Sequence, residues 1–398
     1  MTAVEAADRL GVKTATLYAY VSRGVLTRRR TPTGASLFDP DEVERLARRG
    51  RPRRTSATAT RARSPNEVLI YSRITELGAD RPFYRGRDAL ELARSSSFES
   101  VAEWLWAGED APAQIEQWHA APEAVAAGAA AQAAVPESTL ALERLQVIVP
   151  ALGATDPLRA NLEPSAVAVI GRALIAGMVA SLPGPDVGGT IADRLWAKLR
   201  PARARSRLVD ALRVALVVLA DHELAASTLA VRVAASVRAD PYAAVMAGLG
   251  TMSGPLHGGA SLGVESLLLE AGTPSGAADA IGLRLRRGER VPGLGHMVYR
   301  PSDARATVLL ETVRSHAPRH PALAVADAVL AEARRRRLPE ANIDFALGVL
   351  TRAAGMPIGA GEAIFAIART AGWLAHAREE YADRTRLRLR AVPADGER

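Results

Sequence analysis

The sequence predicts an all-α protein in which a small winged helix-turn-helix module precedes a much larger helical body. Three observations carry this. In the body, apolar residues recur at helical spacing: Leu208, Ala211, Leu212, Ala215, Leu216 and Leu219 form one stripe, the pattern of a helix with one buried face. Strand-like alternation is scarce. Between residues 49 and 65 bulky apolar side chains all but vanish, so that stretch cannot offset the entropy of ordering and reads as a flexible tether. With 398 residues and 48% apolar content, one large unit plus an appendage is the expected arrangement.

In chain order, residues 1–50 come first. A short helix is expected over Val4–Leu10, a turn at Gly11–Val12, and a second helix from Thr14 to Arg23 that Gly24 stops. Ala6, Ala7, Leu10, Leu17 and Val21 can then face one core, leaving Lys13, Thr14, Thr16, Tyr18 and Tyr20 partly available. Arg28–Arg30, a turn at Gly34 and Ser36–Phe38 read as a small wing, followed by a helix from Asp39–Pro40 to Arg48. This module resembles the N-terminal domain of MerR-type and excisionase-like DNA binders. The first 65 residues hold 14 Lys/Arg against 6 Asp/Glu, whereas the remainder balances. The whole excess of eight positive charges therefore sits where a polyanion such as DNA would be met, a solvated basic linker over residues 51–65 being the plainer alternative.

The rest of the composition excludes several classes. Cysteine is absent, which removes disulfides and thiolate metal sites. Glu5 and Asp8 stand where a secretory signal would need an apolar run, so a cytoplasmic protein is expected. The most apolar stretches, Val167–Leu182 and Val214–Ala220, are interrupted or bounded by Arg172, Arg213 and Asp221. No membrane span is expected. The Ala-rich stretch Ala120–Pro136 reads as a plain exposed helix or a loop insertion.

Three segments place His, Asp and Arg beside Gly and Pro, which a helix packed only for stability would avoid. In Ser253–Ala260 (SGPLHGGA) the glycines hold His257 at a helix–loop junction, although a turn that happens to contain a histidine reads the same way. In Val291–Arg305 (VPGLGHMVYRPSDAR) His296 follows the Gly293-Leu-Gly295 loop, with Arg300 and Arg305 close behind. A Gly-x-Gly is a weak phosphate-binding signal without a preceding strand. In Ala341–Phe345 Asp344 opens an apolar helix between Ile343 and Phe345, some 25 residues before Arg369. It is either an N-cap or a carboxylate whose basicity rises in a low-dielectric setting. Glu223 follows His222, but HELAA lacks the second histidine of a zinc motif, so no metal site is expected.

Taken together, Tyr84-Arg85-Gly86, Asp221-His222-Glu223 with Ser227-Thr228, GPLHGGA, GLGHMVYRPSDAR, and the Ile-Asp-Phe and Ala-Arg-Thr-Ala-Gly-Trp pair resemble the citrate synthase family in order and spacing across residues 66–390. The resemblance implies a citrate-synthase-like body with a large domain at 66–250 and 352–398 and a small domain at 251–351, joined to the module at 1–50 by the linker at 51–65. It implies condensation of acetyl-CoA with oxaloacetate in a homodimer, with acetyl-CoA a co-substrate and no tightly bound cofactor. By motif position Asp344 is the base, His257 the donor to the thioester oxygen and His296 the donor to the ketone. His222, Arg305, Arg369 and Arg388, the last acting across subunits, would hold oxaloacetate, and Arg300 with Gly293 and Gly295 would meet CoA. Departures are Ser261 for a usual Asn, Leu294 for Phe, Ala304 for Pro, and Leu389 between Arg388 and Arg390. They leave open 2-methylcitrate synthesis from propionyl-CoA. A metabolite-sensing regulator whose body binds ligand without turnover is a rival that the intact His257, His296 and Asp344 argue against, and a third reading keeps the enzyme and makes the module a docking or regulatory element with no DNA role.

Overall fold

The computed structural model describes residues 1–10, 12, 14–22, 26–30, 36–40, 42–43, 70–200, 207–300, 302–383 and 386–387. They fall into two compact units, Met1–Leu69 and Ile70–Arg398.

In the first unit, Thr2 and Glu5 exchange backbone and side-chain hydrogen bonds (2.8 and 3.3 Å), a reciprocal cap that starts α1 (Ala3–Leu10). Then come α2 (Thr14–Ser22), β1 (Arg28–Arg30) and β2 (Ser36–Phe38), the strands antiparallel with Arg28 opposite Phe38. Ala6, Ala7, Leu17, Leu26, Phe38 and Val43 form its core, with Leu10, Tyr20 and Val21 packed at the edge. The expected apolar face is thus the buried one, and the wing is a real two-stranded ribbon. Tyr20 belongs to the core edge, whereas Thr14 and Tyr18 are exposed. Lys13, Gly24, Gly34, the last helix beyond Val43 and the linker lie outside the described residues.

The second unit begins with a three-stranded antiparallel sheet of β3 (Thr75–Leu77), β4 (Pro82–Tyr84) and β5 (Arg87–Asp88). Helices follow: α3 (Ala89–Ser95), α4 (Phe98–Ala107), α5 (Pro122–Ala133), α6 (Ala141–Thr155), α7 (Pro164–Ser181), α8 (Ile191–Leu199), α9 (Leu208–Leu219), α10 (Ala226–Ser236), α11 (Pro241–Met252), α12 (Ala260–Ala271), α13 (Ala277–Arg286), α14 (Ala304–His316), α15 (Pro321–Arg335), α16 (Ile343–Ala354) and α17 (Ala360–Ala382). The stripe read on α9 is wholly buried. α7 is long and apolar enough to cross a membrane, but most of it is buried against α5, α6 and α17, so its apolarity is that of a core helix. α5 departs from the expectation of a plain exposed helix. Gly128 packs so closely that a Cβ would stand 2.5 Å from Ser181 Oγ, and buried Arg144 donates to Gln132 Oε1 at 2.7 Å.

α17 is the axis of this unit, buried along nearly its whole length. Its entry is held from α12. Buried Glu265 accepts the amides of Gly359 (2.8 Å) and Gly361 (3.3 Å) and the Thr351 hydroxyl (3.0 Å), satisfying donors that a helix start leaves unpaired.

Candidate active site

Four chain segments converge here, and the loop between α11 and α12 adds a fifth. The first is the turn after α9. Tyr84 is fully buried, with its hydroxyl within 3.2 Å of the Val217, Val218 and Asp221 carbonyls. This docks the small sheet against the end of α9 and fixes where Asp221-His222 begins.

The second and third segments are zipped together. The Gly295 amide donates to the Glu340 carbonyl (2.8 Å), the Asn342 amide to the Gly293 carbonyl (2.9 Å), and Asn342 Nδ2 to the Gly295 carbonyl (2.8 Å). Gly293 and Gly295 have φ of 76° and 83°, a region that side chains disfavour. At Gly293 a Cβ would also stand 2.8 Å from Phe345 Cβ. Asn342, two residues before Asp344, is the N-cap of α16, its Oδ1 accepting the Asp344 and Phe345 amides. Asp344 is therefore not the cap.

Asp303 completes the join. It caps α14, takes Arg305 Nε and Nη2 at 2.9 Å each, and accepts the Ile343 amide at 3.0 Å. One buried carboxylate thus ties the starts of α14 and α16 together and brings Arg305 beside Asp344. Burial opposes its charge, but the Arg305 guanidinium prevails and holds Asp303 below the usual range. The Ala304 amide donates to the Asp80 carbonyl at 3.0 Å, a bond that a proline there would lack.

Around this join lie the imidazoles. His296 stacks on Tyr299 (ring centroids 4.6 Å apart), and its Nδ1 accepts the Val298 and Tyr299 amides at 3.0 and 3.1 Å. Its Nε2 stands 3.2 Å from Arg305 Nη2, so both ring nitrogens face N–H donors, and a proton on Nε2 requires the Arg305 edge to turn toward another acceptor. His222 Nε2 meets the Tyr299 hydroxyl at 3.0 Å, and its ring stands edge-on to His296. Burial, reinforced by Arg305, pushes His296 down to about 4. Burial with Arg305 and Arg369 puts His222 well below its usual value. Both are neutral at physiological pH.

His257 lies between α11 and α12. Its Nε2 is 2.7 Å from Ser227 Oγ, which also accepts from Trp373 Nε1 at 3.3 Å. Burial and then Arg369 push it down to about 4. Asp344 goes the other way: burial raises it to about 6 against the pull of Arg305, and its Oδ1 is buried without a hydrogen-bond partner.

The fourth segment is α17. Arg369 is fully buried, its Nε donates to the Leu219 carbonyl at 2.8 Å, and its Nη2 has no partner. Gly293 and Gly295 shape the loop, Arg300 is exposed on its rim, and Arg388 lies outside the described residues. Tyr299 and Asp303 were in a segment singled out from sequence but were given no role there. An Asp directly before Ala-Arg at a helix start is an N-cap signal that would have found the second.

The geometry offers two neutral imidazole donors and a third imidazole at its edge, a carboxyl of raised basicity, and two buried guanidiniums with free edges. A family model described as citrate synthase, C-terminal domain, matches residues 66–390, and one described as MerR HTH family regulatory protein matches residues 1–49. Citrate synthase 2 of Bacillus subtilis is 29% identical over 363 residues, covering 84% of this chain and 95% of its own length. 2-Methylcitrate synthase 1 of Corynebacterium glutamicum is also 29% identical, over 77% of this chain and 87% of its own. Among solved structures, the Thermotoga maritima citrate synthase superposes with a TM-score of 0.67 at 25% identity, over 84% of this chain and 96% of its own. That of Pyrobaculum aerophilum gives 0.71 at 24% identity, over 94% and 96%. The matched span takes in all five of these segments, and on that basis the chain belongs to the citrate synthase family.

Proposed function

We propose that the enzyme condenses acetyl-CoA with oxaloacetate and water to give citrate and CoA, the acyl group becoming an alkyl group on transfer. The observation that carries this is Arg369: a fully buried guanidinium with an unpartnered Nη2, close enough to Arg305 for each to feel the other's charge. Buried cations require anions, and two guanidinium edges suit the two carboxylates of oxaloacetate, with the partner subunit's Arg388 completing the set. His222 and His296 then face the substrate's polar oxygens, and the Nε2 proton of His296 polarises the ketone. Asp344 removes the methyl proton of the thioester while neutral His257 donates to its oxygen, so that the enolate forms against a hydrogen bond rather than in water. Arg300, exposed and free to move, suits a CoA phosphate. Residues 251–351 act as a smaller domain that closes over the rest once oxaloacetate is in place, shielding the enolate. Among the described residues Leu229 and Val233 on α10, and Val237 just after its end, stand exposed at a spacing of four, a face suited to a second copy of the chain.

Propionyl-CoA is the second reading, favoured by equal identity to relatives of both names. One methylene separates the substrates, worth about 1–3 kcal/mol of discrimination. Steady-state release of free thiol from acetyl-CoA and from propionyl-CoA, each with oxaloacetate, tests both. Turnover with neither, in a folded dimer that binds oxaloacetate, would leave a metabolite sensor as the reading.

The helix-turn-helix module supports a DNA-binding role, since it has its own core and the chain's whole positive excess lies within the first 65 residues. Full-length protein should select a preferred duplex near 150 mM salt, and a chain starting at Ser64 should keep synthase activity and lose that selection. Binding that is sequence-blind and collapses between about 50 and 200 mM salt would mean counterion release alone.

A further inference from the structure

Behind the site runs a buried polar chain that the proposed chemistry does not use. Asp221 immediately precedes His222, is fully buried, and accepts the Glu223 amide on Oδ2 at 3.1 Å. Glu223 holds a φ of 53°, a left-handed conformation that costs a residue with a side chain free energy unless its surroundings impose it. The same Oδ2 meets Nε2 of His376 at 3.4 Å, and His376 is itself fully buried. Its Nδ1 receives Arg232 Nη1 at 2.8 Å. Arginine can only donate, so Nδ1 is unprotonated and the ring proton sits on Nε2, aimed at Asp221. Arg232 is fixed in turn by Glu380 at 2.6 Å and Glu379 at 2.8 Å. Gly372 makes room for the arrangement: a Cβ there would overlap Asp221 Oδ1, and its amide donates to the Ala220 carbonyl at 3.0 Å.

We propose that His376, acting through Asp221, is a positioning residue for oxaloacetate binding, holding the strained 221–223 turn so that the His222 imidazole faces the substrate. This rests on the reading of His222 as an oxaloacetate ligand. A histidine that only filled the core would need neither a fixed tautomer nor a carboxylate opposite its proton. Without the Nε2 donor the Asp221 carboxylate is left short of a partner in a dry interior. The turn then relaxes by returning Glu223 to negative φ, which carries His222 away from Tyr299 and His296.

The test is calorimetric titration of the intact protein with oxaloacetate, alongside the KM for acetyl-CoA. His376→Leu removes both ring hydrogen bonds and should raise the oxaloacetate Kd by about tenfold or more, with the acetyl-CoA KM little changed. His376→Gln offers an N–H toward Asp221 and a carbonyl toward Arg232, and should restore most of the affinity. Adding Glu223→Gly to His376→Leu should also recover affinity, because glycine adopts the left-handed turn without strain. Unchanged oxaloacetate affinity in the folded Leu variant, equal losses for both substrates, or no recovery in the Gln and Gly proteins overturns the proposal. If the Leu variant does not fold, His376→Asn takes its place. It keeps the acceptor for Arg232 and loses the donor to Asp221, so wild-type affinity there is equally fatal. His222→Asn separates the two readings: if it leaves oxaloacetate binding intact, the assignment of His222 fails, whereas weakened binding there with normal binding in the His376 variants sinks only the positioning role.

Discussion

Replacing Asp344 with Asn should make the protein more stable and nearly inactive at once. The carboxyl is held at about 6, against an ordinary 3.8, by burial that leaves Oδ1 without a partner. A rise of about two pKa units corresponds to about 3 kcal/mol of bias against the ionised form, at 1.36 kcal/mol per unit. Asp344 also lies in the first turn of α16, where a negative charge is favourable by roughly 0.5 kcal/mol, so the net gain on neutralisation is about 2.5 kcal/mol. Because the folded pKa is the higher one, the stability contributed by the protonated group is complete below pH 4 and is lost as pH rises to and through about 6. The amide escapes that loss. With an unfolding entropy near 2.1 cal/mol/K per residue for a unit of this size, the melting midpoint should rise by about 4 °C at pH 8, and by much less at pH 4.5. Turnover should fall by about 10²–10⁴-fold. The assay is a circular-dichroism melt at fixed protein concentration and scan rate, at both pH values. A lower midpoint at pH 8, or a gain that does not shrink on acidification, would show that the fold stabilises the carboxylate, and the case for a base poised by burial would fail.

The acid limb of kcat/KM should turn over near pH 6, the pKa of Asp344 in the free enzyme. Glu362, raised to about 7 by burial and its neighbours Glu265 and Glu143, is the competing source, so Glu362→Gln should leave the limb in place, and its disappearance would reassign it. Arg369→Leu should weaken oxaloacetate binding by about 100-fold or more, since a buried carboxylate loses its charged partner, while the melting midpoint stays within a few degrees because a buried, unpaired cation has been removed. Normal affinity would show that its free edge meets something else. Gly293→Ala forces a side chain onto Phe345 at a φ of 76° and should cost about 1–3 kcal/mol of stability. It should also lower kcat by displacing His296, and unaltered kinetics would mean the loop does not set that imidazole.

Much of this was legible because the signals are local. The α9 stripe and the helix-turn-helix core depend on spacings of three and four residues, and a helix buries whatever that period puts on one face. The glycine-flanked histidines were legible as well, since glycine where the chain must take positive φ marks places where backbone, not packing, is under constraint. The character of Asp344 was ambiguous between cap and base, and the residue that decides it, Asn342, stood two positions earlier with the ordinary preference of an N-cap. α5 misled because alanine and glycine carry little hydrophobic signal, yet small residues are what allow helices to approach closely, as Gly128 does against Ser181. The Asp221–His376–Arg232 chain was invisible for a different reason. Its partners are 155 and 144 residues apart, and no period or composition links a polar residue to a partner at such distance.

The two guanidiniums differ in a way that bears on the order of events. Arg305 is neutralised in advance by Asp303, whereas Arg369 makes no ion pair among the described residues, Asp221 exerting the strongest opposite charge on it. At Asp344 the pull of Arg305 and Arg369 acts against the raising effect of Asp303, beside three imidazoles held below their usual values. That pull lowers Asp344 from where burial alone would put it. On the proposed reading, a dianion seated on Arg305 and Arg369 would offset that pull, and Asp344 would become a stronger base only once the electrophile is in place. On that reading, proton abstraction from the thioester before oxaloacetate arrives would be disfavoured twice: the base would be weaker, and no ketone would stand beside His296 to capture the enolate. A site built for indiscriminate proton abstraction would pair both arginines and leave the carboxylate in water, and neither is found here.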